Sequence, residues 1–330
     1  MSVPAHHDPD GGFRNPWPQS ALHGVGGLLK WMLTRSRRGP STITTFNDSP
    51  GQQELPPDVS DELSVTWIGH SSFLIQFGGM NILTDPIWSK RASPIGFTGP
   101  ERIVPPGIAL EALPRIDVTV LSHDHYDHLD DKTVRRLIAQ FPEMTWLTPV
   151  GVGDFVRKRG AASVKEFDWW AETSVGSASF ACTPAQHFSG RYPWNRNATL
   201  WCGWTIRIGE TAVFFAGDTG LHPEFGKIAQ RFGPFDMSIL PIGAYDPRWF
   251  MHTVHMDPEE AVSAFQALDS IHPENSGVMV ASHWGTFRLT DEPVDEPPIL
   301  ARRTWSTAKL PPENLWILAH GETRALQQTQ

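Results

Sequence analysis

The chain predicts an α+β domain of layered type, with two mixed β-sheets flanked by helices. Three observations point there. Short apolar strand patterns and amphipathic helix patterns alternate from about residue 63 onward, with no fixed-period repeat. Histidine and aspartate recur just beyond apolar strands, a topology that lets one sheet edge collect them from distant parts of the chain. The 330 residues are 40% apolar, ordinary for a globular protein with a substantial core.

The elements follow in order. Residues 1–60, rich in Pro, Gly, Ser and Asp, form an N-terminal extension, and 61–330 form the folded domain. Within the extension Val25, Leu28, Leu29, Met32 and Leu33 fall on one helical face, beside Lys30, Arg35, Arg37 and Arg38. Such a helix either touches an anionic lipid surface or packs on its own domain. Residues 65–68, 73–77 and 81–84 read as strands, and Gly78-Gly79 joins the last two as a hairpin turn. Val118-Thr119-Val120-Leu121 reads as a buried strand, followed by a helix over 132–140. Further strands are expected at 145–147, 177–183, 200–208 and 211–215, with a hairpin at Gly209-Glu210. Helices are expected at 223–231 and 258–268, the second opened by Asp257 as N-cap and Pro258 in its first turn. Strands at 237–240, 278–281 and 315–318 complete the set.

Composition bounds the function. No run of eighteen apolar residues exists, so no transmembrane helix is expected. The first residues are polar and acidic and do not read as a secretory signal, which predicts a cytoplasmic protein, peripheral on the inner membrane face if the amphipathic helix meets lipid. Cys182 and Cys202 supply neither a disulfide framework nor a C-x-x-C zinc site. A net charge of −9 argues against a nucleic-acid partner, whose phosphates demand a basic face. The 14 tryptophans suit a core, an apolar groove or a membrane interface.

His123-Asp124-His125-Tyr126-Asp127-His128 carries the chemistry. It follows the strand at 118–121 and packs three imidazoles and two carboxylates into six residues. His123 and His125 can point to one metal, Asp127 and His128 to its neighbour. Two Zn²⁺ ions about 3.5–4 Å apart could share a hydroxide and attack an ester. Three later positions lie just past apolar strands: His187, Asp218 in Ala-Gly-Asp-Thr-Gly, and His283 in Ala-Ser-His-Trp-Gly. Asp218 is the bridging candidate, because a carboxylate has two oxygens. The same donor set also takes Fe or Mn. His70 and His320 read as buried and hydrogen-bonded, whereas His6, His7, His23, His222, His252 and His272 are assigned to the surface.

H-x-H-x-D-H, then a strand-end His, Gly-Asp-Thr-Gly and a second strand-end His, resembles the metallo-β-lactamase superfamily over roughly residues 63–320. The resemblance implies an αββα sandwich with a two-zinc site at one edge. The block from Leu83 to Pro94, Gly233-Pro234-Phe235-Asp236, the block from Pro241 to Met251, His255-Met256-Asp257-Pro258 and His283-Trp284-Gly285-Thr286-Phe287 are similar to the N-acylphosphatidylethanolamine-hydrolysing phospholipase D family. Asn15-Pro16-Trp17-Pro18 is similar too, but Phe188 stands where that family usually has Trp, and the lead-in is short. By this resemblance His123, His125 and His187 bind one zinc, Asp127, His128 and His283 bind the other, and Asp218 bridges.

The implied reaction is zinc-dependent phosphodiester hydrolysis. A zinc-bridging hydroxide would attack phosphorus, and phosphatidic acid and an N-acylethanolamine would leave. Asp127 and His255 are the catalytic candidates, His255 polarising the phosphate or protonating the leaving group. Tyr245 and Arg248 are candidate phosphate contacts, and Asp85 a candidate to orient a ligand histidine from behind. The metal site alone also fits a lactonase, a sugar-phosphate lactonase or a cyclic-nucleotide phosphodiesterase. Expected partners are a phospholipid substrate and a membrane surface, and the resemblance suggests a homodimer.

Overall fold

The computed structural model describes residues 4–17, 24–35, 61–192, 194–269 and 277–326. Helix α1 (Val25–Thr34) precedes the domain. The first half of the domain holds β1 (Ser64–Gly69), β2 (Ser72–Phe77), β3 (Met80–Thr84), β4 (Val118–Val120), α2 (Asp131–Gln140), β5 (Thr145–Pro149), α3 (Gly153–Arg157) and β6 (Ser163–Phe167). The second half holds β7 (Glu172–Val175), β8 (Ala178–Thr183), β9 (Gly203–Ile208), β10 (Thr211–Phe215), α4 (Phe225–Phe232), β11 (Met237–Pro241), α5 (Arg248–Met251), α6 (Pro258–Asp269), β12 (Val278–Ser282), α7 (Glu296–Thr307) and β13 (Leu315–Trp316). Strand β14 (Thr323–Ala325) returns to the first half.

The described strands form two sheets of seven, β14-β1-β2-β3-β4-β5-β6 and β13-β12-β11-β10-β9-β8-β7. Each sheet is mixed in the same way. Antiparallel hairpins occupy one side, and a parallel run, β3 to β6 or β10 to β13, occupies the other. The largest core cluster lies between the sheets, drawing Trp67, Phe73 and Ile82 from one and Phe180, Trp204 and Phe214 from the other. A second cluster packs Val134 and Leu137 of α2 on Leu74, Leu83 and Trp146. The fold is therefore the αββα sandwich, its central strands buried on both faces, as continuous apolar strands require.

Local chemistry explains the turns. Gly78 and Gly79 both have positive φ, as a two-residue hairpin between Phe77 and Met80 demands. Asp257 accepts from the Glu260 N–H at 2.9 Å, and Glu260 accepts from the Asp257 N–H at 3.2 Å, so α6 opens with the reciprocal cap its sequence suggests.

Candidate metal centre

The donor residues sit where strands of the two sheets end. His70 follows β1, Asp85 follows β3, and the His123–His128 loop follows β4. His187 lies beyond β8, Asp218 beyond β10, and His283 directly after β12. The first loop is folded on itself: the His125 carbonyl accepts from the N–H groups of both His128 and Leu129, so that four donors turn toward one point. Three residues outside glycine hold positive φ here, His70 (59°), Asp85 (31°) and His283 (59°). Such backbone persists only where the surrounding structure enforces it, and it clusters at working sites.

Two triads share Asp218. In one, His123 Nε2 lies 2.8 Å from His125 Nδ1, which lies 3.2 Å from His187 Nε2. Asp218 Oδ2 is 3.9 and 3.8 Å from the Nε2 atoms of His123 and His187. In the other, Asp218 Oδ2 is 3.0 Å from Nε2 of both His128 and His283, and Asp127 Oδ2 is 3.5 Å from each. These are two three-donor groups with one carboxylate oxygen reaching both, the set expected for two metal ions.

The electrostatics fit cations. Burial, with neighbouring imidazoles, pushes His125 down to about 3, and burial pushes His187 down to about 4, so both offer free lone pairs. Burial disfavours charge on Asp127 and Asp218, yet His128 and its neighbours outweigh it and hold both carboxyls well below their usual range. Burial likewise opposes charge on His283, but Asp218 and Asp127 raise it to about 9. A proton on that ring thus does what a metal ion would do, neutralising the paired carboxylates. Nε2 of His128 and of His283 meet Asp218 Oδ2 only as ion-pair contacts at 3.0 Å, outside hydrogen-bond geometry, and Asp218 Oδ1 is buried with no hydrogen-bond partner among the described residues. Unpaired polar atoms of this kind are costly unless a ligand satisfies them, and His and Asp atoms so placed fit two divalent ions.

Asp85 supports both triads. Its Oδ2 lies 2.7 Å from His128 Nδ1 and accepts from the Ser122 hydroxyl at 2.5 Å. That hydroxyl lies 2.8 Å from His123 Nδ1. With Nδ1–H pinned in each case, Nε2 is the free donor. Asp124, inside the motif, turns away and accepts from the Gly190 N–H at 2.7 Å.

His255 joins the site without an obvious place in either triad. Its ring lies 5.0 Å from that of His187 and 5.1 Å from that of His283, and its Nδ1 has no hydrogen-bond partner among the described residues. The Tyr245 and Arg248 side chains, the candidate phosphate contacts, are each engaged within the protein. The buried Tyr245 hydroxyl donates to Glu296 at 2.6 Å, and burial beside that carboxylate pushes its acidity further out of reach. Arg248 is engaged by Glu260 and Asp257, and it donates to the His255 carbonyl at 2.9 Å. It therefore fixes the backbone of His255.

Sequence reasoning placed His70 in the core as a hydrogen-bonded residue. It is buried, but its Nε2 lies 2.9 Å from Asp127 Oδ2, within the donor cluster. The usable signal was its place after β1, the same strand-end position as the other donors. Phe188 packs on two ligand rings, 4.5 Å from His125 and 4.8 Å from His187. The surface assignment fails for His6 and His222, which are buried. His222 is sandwiched between Trp17 and Phe225, and burial pushes it down to about 3. His23 and His272 lie outside the described residues.

A model of the beta-lactamase superfamily domain matches residues 80–284. An uncharacterised protein of Mycobacterium tuberculosis is 44% identical over 240 residues, covering 72% of this chain and 63% of that protein. The N-acyl-phosphatidylethanolamine-hydrolyzing phospholipase D 1 of Caenorhabditis elegans is 40% identical over 238 residues, covering 69% of this chain and 65% of that protein. The matched part thus spans less than two thirds of either relative's length. The crystal structure of isothiocyanate hydrolase from Delia radicum gut bacteria shares the fold, with a TM-score of 0.62 at 21% identity over 80% of this chain and 99% of that one. The domain match covers more than half of the sequence and contains the whole donor set except His70, and on that ground the chain belongs to the beta-lactamase superfamily.

Proposed function

We propose that this chain is a metal-dependent hydrolase that cleaves N-acylphosphatidylethanolamine to phosphatidic acid and an N-acylethanolamine. The observation that carries the hydrolase reading is the pair of buried triads sharing Asp218, with the His255 imidazole between His187 and His283. The choice of phosphodiester is supported by the 40% identity to the nematode phospholipase D. His123, His125 and His187 would hold one ion, Asp127, His128 and His283 the other, with Asp218 between them. Two divalent ions held there, zinc by the match of these donors or Fe or Mn in its place, would supply hydroxide at neutral pH and offset phosphoryl charge.

The protein's own groups do the rest. Burial holds His255 well below its ordinary value, so the ring is neutral with one N–H to give. A neutral imidazole suits a donor that polarises a phosphoryl oxygen, a role favoured here over storage of a proton for the leaving group. Arg248 keeps that ring in place through the His255 carbonyl.

A lipid surface is the proposed setting. A groove of about 310 Å³ beside the His123–His128 loop is lined by Lys90, Arg91, Lys132, Arg191 and Tyr192, with Asp130 and Asp131 among them. Near it Phe97 and Trp194 stand exposed, Trp194 stacked on Tyr192 at 5.0 Å. Helix α1 turns Leu29, Met32 and Leu33 outward. Exposed apolar rings among cations suit anionic headgroups and the acyl boundary.

Mass spectrometry of products from metal-analysed protein and N-acylphosphatidylethanolamine tests the reading, with His187→Ala as control. Phosphatidic acid plus N-acylethanolamine, absent in the control, is the expected result. His255→Ala should keep its metal and lose about 10²–10⁴-fold in turnover. No product from protein carrying two metals would sink the lipid assignment and turn the search to lactones and other phosphodiesters.

A further inference from the structure

The lead-in motif Asn15-Pro16-Trp17 has no place in the chemistry above, yet it reaches the metal centre. The Asn15 side-chain amide donates to the His187 carbonyl at 2.8 Å, and its oxygen accepts from the His187 N–H at 3.2 Å. His187 lies past the end of β8, where no strand among the described residues pairs with it, and the amide of Asn15 takes that strand's part. On the ring side, His187 Nδ1 donates to the Val254 carbonyl at 2.9 Å. Backbone and ring are thus held from opposite sides, and Nε2 is left aimed at its triad.

The segment that delivers Asn15 is itself clamped. His7 and Phe13 form an antiparallel bridge, and the Phe13 N–H donates to the Asn197 carbonyl at 2.8 Å. Nε2 of His6 and Nε2 of His7 each contact one oxygen of Asp168, at 2.6 and 2.7 Å. The His6 ring stacks on Trp169 at 4.2 Å, and Trp17 stacks on His222 at 4.9 Å. Pro16 pushes Asn15 toward an extended backbone.

We propose that residues 4–17 are a strap built into the metal centre and that Asn15 is a positioning residue for the ligand His187. The inference rests on the metal reading of the cluster, not on the lipid substrate, and is measured with metal alone. Wild-type and Asn15→Ala proteins are titrated with Zn²⁺ against a chromophoric chelator, and the visible spectra of their Co²⁺ forms are compared. The expected result is a loss of about 10–100-fold in affinity at the His123, His125 and His187 triad, with the other ion held as before and a changed cobalt spectrum. Asn15→Asp fills the same volume but sets a carboxylate against the His187 carbonyl, and it should lose a similar factor. Unchanged affinities, or equal weakening of both ions, would overturn the proposal. If Asn15→Ala does not fold, Asp168→Ala decides: it frees the far end of the strap and should weaken the same triad selectively, whereas two wild-type affinities would refute the strap's role. A wild-type protein that binds no metal would refute the metal reading itself.

Discussion

Asp85 places no atom between the metal donors, yet both triads lean on it. One carboxylate touches His128 directly and His123 through Ser122. Its burial is complete, and that burial, against the pull of His128 and Ser122, raises its pKa. Two substitutions separate support from ligation. Asp218→Asn should remove both ions and all activity together, since Asp218 Oδ2 reaches both triads. Asp85→Asn should keep the fold and lose about 10–100-fold in metal affinity or turnover. Metal analysis of both purified variants is the check, and full occupancy in Asp218→Asn would rule out the shared carboxylate. The donors themselves were legible in the sequence because each follows an apolar strand. Asn15, Ser122 and the turned-away Asp124 were not. They act through hydrogen bonds to residues distant in sequence or to main-chain atoms, and such contacts leave no spacing to read.

At the scale of elements, α1 packs one face on its own domain and leaves the other exposed. Trp31 donates to Asp291 at 2.8 Å and stacks on Phe250 at 5.4 Å, while Arg35 bonds the same carboxylate. Leu33 is 87% and Met32 63% exposed on the other side. Deleting the first 45 residues would test membrane contact poorly, because it would also remove Asn15. Met32→Glu with Leu33→Glu is the sharper change. It should weaken binding to anionic vesicles in a sedimentation assay and leave turnover of detergent-dispersed lipid as it was. Equal turnover losses on both forms of substrate would argue against lipid contact by this helix. Most strands were readable, since buried strands are continuous apolar runs. Strands β6 and β7 were not: Ser-Val-Lys-Glu-Phe and Glu-Thr-Ser-Val are half-exposed edge strands with little apolar pattern. Helix α7 hid behind Pro297 and Pro298, which sit in its first turn where proline is tolerated. No helix among the described residues is long and apolar enough to cross a membrane.

For the whole molecule, a metal ion bound at the second triad would compete with a proton for the same place. His283 has a folded value of about 9 against 6.5 in the open chain, a raised value. Its contribution to the stability of chelated protein is therefore complete below about pH 6.5 and is lost as pH rises through about 9. Metal needs the neutral ring and binds better over the same range. The gap in melting temperature between loaded and chelated protein should widen from pH 6.5 to pH 9. Differential scanning fluorimetry across that window reads it, and a constant gap would show that His283 is not where proton and metal exchange. The two-sheet core was predictable from the sequence, but not the join between its halves. Trp67 of β1 stacks on Trp284 beyond β12 at 5.0 Å, and the His283 N–H donates to the His70 carbonyl at 3.1 Å.

Because the donors are drawn from the ends of β4, β8, β10 and β12, the centre has a birth order. A ribosome releases the chain from its N-terminus, so His123 to Asp218 are in the cell long before His283. All residues of the first triad have emerged with His187 and those of the second only with His283, yet each triad joins donors from the end of β4 in one sheet to donors from the other sheet, so neither takes shape before the two sheets meet.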